Sequence, residues 1–212
     1  MNETKIGGFV LLLAALTLLI TIYLEYRIGW IGIQRSQDEL FQFVYENWKG
    51  LQVIWGWQTL GHALFAISYL LLLKGSNGVA SIAWSVLFLC GLLLVVSMGL
   101  TLGSYYPAME VYQDHPAIFD SISGGIRILY RAGRIGSLFF LLVYFIEIFK
   151  PGGVLDKKLG LISFSIVAIL IVLGLTTSLP LKVIGASWFF LPSILGYAYW
   201  KNADIKKNTL DN

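Results

Sequence analysis

IGGFVLLLAALTLLITIYL, residues 6–24, is an unbroken run of nineteen residues without a formal charge. A helix needs roughly 20 apolar residues to cross the hydrocarbon core of a bilayer. Lys5 precedes the run, as it would in a signal peptide. The exit through Tyr23, Leu24, Glu25, Tyr26 and Arg27 offers no small-residue cleavage site, however, so a retained first span is expected.

Four further uncharged runs follow, at 51–73, 79–102, 159–181 and 183–200. The last two are separated by Lys182 shortly after Pro180, which calls for a tight helical hairpin. A sixth segment is interrupted, because only twelve uncharged residues lie between Arg134 and Glu147. Such a helix must draw in polar flanks. The expectation is therefore an all-α polytopic membrane helical bundle of six transmembrane helices, at about 6–24, 51–73, 79–102, 125–149, 159–179 and 183–200.

Composition agrees. The 212 residues are 57% apolar and 13% charged, against about 25% charged in a soluble domain, and mean hydropathy is +0.75. No polar stretch is long enough for a second domain, so 1–212 reads as one membrane domain. Cys90 is the sole cysteine, which excludes a disulfide framework and a cysteine-based zinc site. A net charge of +3, scattered along the chain, gives no footprint for nucleic acid.

Lys and Arg set the orientation. With the N-terminus inside, the cytoplasmic pieces hold Lys5, Lys74, Lys150, Lys157, Lys158, Lys201, Lys206 and Lys207. The outer pieces hold Arg27, Arg35, Lys49 and Lys182, while Glu25, Asp38, Glu39, Glu46, Glu110, Asp114 and Asp120 also fall outside. Both termini are expected in the cytoplasm of a cell whose plasma (inner) membrane carries the protein.

Ser36-Gln-Asp-Glu39 has the form of a capping box. Leu40, Phe41, Val44, Trp48 and Leu51 then recur at helical spacing, which predicts an outer amphipathic helix over 36–50, lying on the surface or running into the second span. Residues 104–120 read as a second outer loop with two prolines.

An offset of 75 residues aligns Gly61 with Gly136, Phe65 with Phe140 and Tyr69 with Tyr144. It also aligns Gly78-Val79 with Gly153-Val154, and Gly99-Leu-Thr101 with Gly174-Leu-Thr176. A duplicated two-helix hairpin and the mutual likeness of any two apolar hairpins both account for this pattern.

Arg127, Arg131 and Arg134 are spaced four and three apart, so on a helix they share a face about 60° wide. Charge within the hydrocarbon is expensive and faces a partner, a cavity or the interface. Three readings stay open: a pocket for an anionic group, structural pairing with Asp120 or Glu110, and snorkelling to outer headgroups. Gly124, Gly125 and Gly133 would let another backbone approach this helix.

His62 falls near mid-bilayer with Gln58 one turn before it, on the same face as Trp55. It suits a ligand or proton site, or an interhelical hydrogen bond. Ser97, Thr101 and Ser104 form a polar stripe beside Gly99 and Gly103, which helix packing explains. Glu147 is expected to pair with Lys150 at the inner end of the fourth span. Asp114, His115 and Asp120 cluster as a weak candidate for metal or catalysis. There are no histidine boxes, and no GxSxG, HExxH or GxxxxGK[ST] motif. Nothing implies a cofactor or a metal.

Lys5-Ile-Gly-Gly8 at the start of the first span, and the stretch from Phe139 to Leu175 around Pro151-Gly-Gly153, resemble small bacterial multi-pass membrane proteins of unknown function. That resemblance implies the architecture alone and carries no functional residue.

The leading functional expectation is a non-enzymatic membrane binding or accessory subunit. It would use Arg127, Arg131, Arg134, His62 and Gln58 toward a lipid, an anionic ligand, or a protein partner that includes a second copy of the chain. The alternatives are a small transporter or channel component with a polar path near His62, and a membrane enzyme acting on a lipid.

Overall fold

The computed structural model describes residues 2–176 and 188–208. Among them the chain is helical without a strand: α1 (Glu3–Ile28), α2 (Gln37–Lys74), α3 (Gly78–Leu100), a π-helical turn (Thr101–Tyr105), α4 (Tyr106–Glu110), α5 (Pro116–Arg134), α6 (Gly136–Phe149), α7 (Lys157–Thr176) and α8 (Phe190–Asn208). Among the described residues, four helical stretches are long and apolar enough to cross a membrane: Glu3–Ile28, Gln37–Lys74, Gly78–Glu110 and Pro116–Phe149. Parts of the expected fifth and sixth spans, with the turn at Pro180 and Lys182, lie outside the described residues.

Local chemistry fixes the helix ends. The Asn2 side chain accepts from the Thr4 N–H, and Gly29 ends α1 at φ 86°, a left-handed conformation that glycine adopts without a Cβ clash. Ser36 and Glu39 form the capping box in full. From there α2 continues unbroken for 38 residues, about 57 Å. The amphipathic segment 36–50 and the second span are thus one rod.

The region expected as a second outer loop is mostly helix instead. Pro116 occupies the first turn of a helix, where a missing N–H costs nothing, whereas Pro107 follows the π-helical turn inside the continuous stretch Gly78–Glu110. The wider turn at Thr101–Tyr105 leads the chain from α3 into α4.

The bundle is built around α1, which packs between α2 and α8, while α3 packs against α2, α5 and α6. α1 buries Leu11, Ala14, Ala15, Leu18, Thr21 and Glu25, a stripe at helical spacing. It runs antiparallel to α8 with backbones nearly touching. A Cβ on Gly8 would sit 2.8 Å from the Gly196 carbonyl oxygen, and one on Gly196 would sit 2.7 Å from the Leu12 nitrogen. Small residues allow such close crossings in membrane bundles.

Gly61 and Gly136, aligned by the 75-residue offset, both permit close approaches but to different neighbours, Leu18 of α1 and Cys90 of α3. α2 and α3 pack along each other, whereas α6 and α7 touch little.

Two apolar clusters result. One joins Leu11, Phe65, Trp84, Tyr144 and Leu195 through the bundle. The other gathers Val44, Trp55, Met98, Met109 and Phe119 at the opposite end, with Trp48, Tyr105 and Tyr106 against it. Outward faces carry Ile20, Val53, Ile82 and Leu89, each more than half exposed.

Candidate anion-binding face and buried polar node

α5 is strongly amphipathic, more so than the other described helices. Its inward side is narrow, with only Phe119 and Gly133 buried. Gly133 allows the approach predicted for it, since a Cβ there would lie 2.6 Å from the Leu94 side chain and 3.0 Å from the Cys90 carbonyl oxygen. Gly124 and Gly125 play no such part; nothing lies within 4 Å of a Cβ at either. Ser97 secures the helix pair, its hydroxyl donating to the Ile126 carbonyl at 3.1 Å. Gly99 and Gly103 face open space, so Ser97 carries the packing role expected of the whole stripe.

Arg127, Arg131 and Arg134 lie on the opposite side of α5, all three exposed. Among the described residues no carboxylate stands within ion-pair distance of them, so pairing with Asp120 or Glu110 is absent there. Their directions are informative. Arg127 Nε donates to the Ser123 carbonyl at 3.3 Å, and the Arg134 guanidinium lies 5.9 Å from the Tyr130 ring centre. Both reach back one turn, toward the N-terminal end of α5. Helix geometry favours that lean for long side chains.

Position along the rod adds depth. α5 and α6 meet at Ile135, whose backbone stays helical (φ −57°, ψ −29°). Counting back from Phe149, Arg134, Arg131 and Arg127 stand about 22, 27 and 33 Å up the rod at 1.5 Å per residue. A hydrocarbon core about 30 Å thick would put Arg127 at its far boundary and Arg134 several ångströms inside.

The second site lies between α1 and α2. The buried Glu25 carboxylate accepts from Trp55 Nε1 at 3.0 Å, and the buried Gln58 amide lies beside it. One turn further along α2, His62 has a buried Nδ1 with no hydrogen-bond partner among the described residues. Glu25 thus belongs to the bundle and not to the outer loop expected for it. The signal was present: Leu11, Ala14, Leu18, Thr21 and Glu25 share one helical face.

The expected pairing of Glu147 with Lys150 is also replaced. Glu147 is buried, its Oε2 accepts from the Val154 N–H at 3.1 Å, and the Tyr199 hydroxyl lies beside it. Lys150 is exposed. Asp114, His115 and Asp120 are exposed as well, and no three His, Cys, Asp or Glu side chains gather into a metal-holding group among the described residues.

Fold and site define a class: an all-helical protein with stretches long and apolar enough to cross a membrane, and on one of them an arginine face with no acidic partner among the described residues. Beyond that class, the chain matches no protein-family model, no curated protein and no solved structure.

Proposed function

We propose that the protein is a non-enzymatic membrane binding or accessory subunit whose α5 arginine face engages an anionic group at the outer membrane surface. The observation that carries this reading is the exposure of Arg127, Arg131 and Arg134 on one face with no acidic partner among the described residues. Unpaired charge near hydrocarbon needs an external counterpart, either headgroups, a ligand or another chain. The backward lean of Arg127 and Arg134 supports a counterpart on the side of the α5 N-terminus.

In this reading the chain crosses the plasma (inner) membrane six times with both ends cytoplasmic. The excess of Lys on the inner pieces supports it. So does α8, which runs antiparallel to α1 and brings Trp200 beside Phe9, with ring centres 5.6 Å apart. Native mass spectrometry of the protein released from nanodiscs tests the proposal. A retained anionic component or partner, lost in the Arg131→Gln/Arg134→Gln variant, is the expected result. A bare protein in both cases would overturn it.

A second reading, a small transporter or channel component, draws on the Glu25–Gln58–His62 node with its unpartnered imidazole nitrogen. Flux into proteoliposomes that disappears in His62→Ala would favour it over the first.

A further inference from the structure

The arginine face does not end at Arg134. Ile135, Leu138, Leu142 and Phe149 of the rod are 54%, 64%, 40% and 57% exposed. At 100° per residue, with the helix carried through Ile135, they fall within about 60° of Arg131. An exposed apolar stripe therefore continues down the same face directly below the guanidinium groups. From Arg134 to Leu142 it runs about 12 Å. One leaflet of hydrocarbon is about 15 Å deep.

Cations above and an apolar track of leaflet length below complement an amphiphile with its anionic end uppermost. We infer that this face holds one anionic glycerophospholipid, with its phosphate against Arg131 and Arg134 and an acyl chain along Ile135, Leu138 and Leu142. The inference rests on the anion-binding reading above and names its ligand. A second copy of the chain is a poor occupant. Copies inserted in the same direction would bring the arginines of one against the arginines of the other at equal depth, and like charges repel. Arg131 and Arg134 are the anchors because they stand nearest the apolar stripe, whereas Arg127 lies a further turn away and donates to the Ser123 carbonyl. A guanidinium fork also matches phosphate oxygens in bidentate fashion.

The test uses the full chain in nanodiscs containing phosphatidylcholine with a minor fraction of phosphatidylglycerol, read by native mass spectrometry. Phosphatidylglycerol should be retained in preference to phosphatidylcholine. Arg131→Gln/Arg134→Gln should lower that retention about tenfold, while Arg131→Lys/Arg134→Lys keeps part of it. Leu138→Ala/Leu142→Ala should weaken retention with the arginines intact. Water-soluble glycerol phosphate, offered at the same concentration, should not compete. If glycerol phosphate competes as well as the diacyl lipid, or the leucine variant retains lipid like the parent, the lipid inference fails and the anion-binding face stands. If the arginine-to-glutamine variant, shown to be monodisperse, retains phosphatidylglycerol like the parent, both fail.

Discussion

The Trp55 indole donates to the Glu25 carboxylate across 3.0 Å, joining two helices at a level where Gln58 crowds the same group. The contact also reports the register of α1 against α2. Gly50 faces Ile28 and Gly61 faces Leu18, so the helices run antiparallel and Glu25 falls opposite residues 55–58. A carboxylate in that position is held by hydrogen bonds, with no cation within ion-pair distance among the described residues.

Trp55→Phe keeps an aromatic ring against Trp30 and Trp48 but removes the donor together with one ring of the buried indole. Hydrogen bonds to charged groups contribute about 1.5–3 kcal/mol. The variant should therefore unfold more easily by at least that amount, as read by thermal or denaturant unfolding in detergent. Unchanged stability would mean that the carboxylate is not held by Trp55.

Glycines separate into two kinds. Gly8 stands at the α1–α8 crossing, where a Cβ would meet the backbone of Gly196 and Trp200. Gly56 is inside α2 with nothing within 4 Å of a Cβ. Gly8→Ala should destabilise by about 1–3 kcal/mol through overpacking. Gly56→Ala should stabilise by about 0.5–1 kcal/mol through helix propensity. Parallel unfolding curves of the two variants check the pair, and equal effects would contradict the close crossing.

The buried Glu147 closes the turn after α6 by accepting from the Val154 N–H. Glu147→Ala leaves that N–H unpaired and should destabilise by about 1–3 kcal/mol. Glu147→Gln keeps an acceptor oxygen and should be milder. Limited proteolysis at residues 150–156 gives the readout, with faster cleavage in the alanine variant.

Much of this was legible in the sequence because hydrophobic runs and caps are local. The Ser36 and Glu39 box, the breadth of the first three apolar helices and the shared face of the arginines all follow from spacing alone. Tertiary register was not legible. Glu25 looked like an outer-loop acid because a hydropathy window stops at the first charge, although the buried face of α1 runs through it. Glu147 sits three residues before Lys150, so a local ion pair looked natural until the turn brought the Val154 N–H to its carboxylate. Gly124, Gly125 and Gly133 are alike in sequence, and only the packing of α3 shows that the third is crowded and the first two open. Residues 104–120, with two prolines, read as a loop, although the helix from Gly78 runs on to Glu110 and Pro116 stands in the first turn of the next.

Depth along α5 and α6 tests the central claim, that the arginine face meets the anionic outer boundary of a membrane. Spin labels on single cysteines at Gly124, Ile128, Leu138 and Leu142, placed in a Cys90→Ser background and reconstituted in lipid, report accessibility to water-soluble and to lipid-soluble relaxants. Water accessibility is expected at Gly124, lipid accessibility at Leu138 and Leu142, and a crossover between Arg127 and Arg134. Water accessibility at all four positions would contradict the claim by placing the whole face in an aqueous path, and shielding of Leu138 from both relaxants would contradict it by placing another chain there.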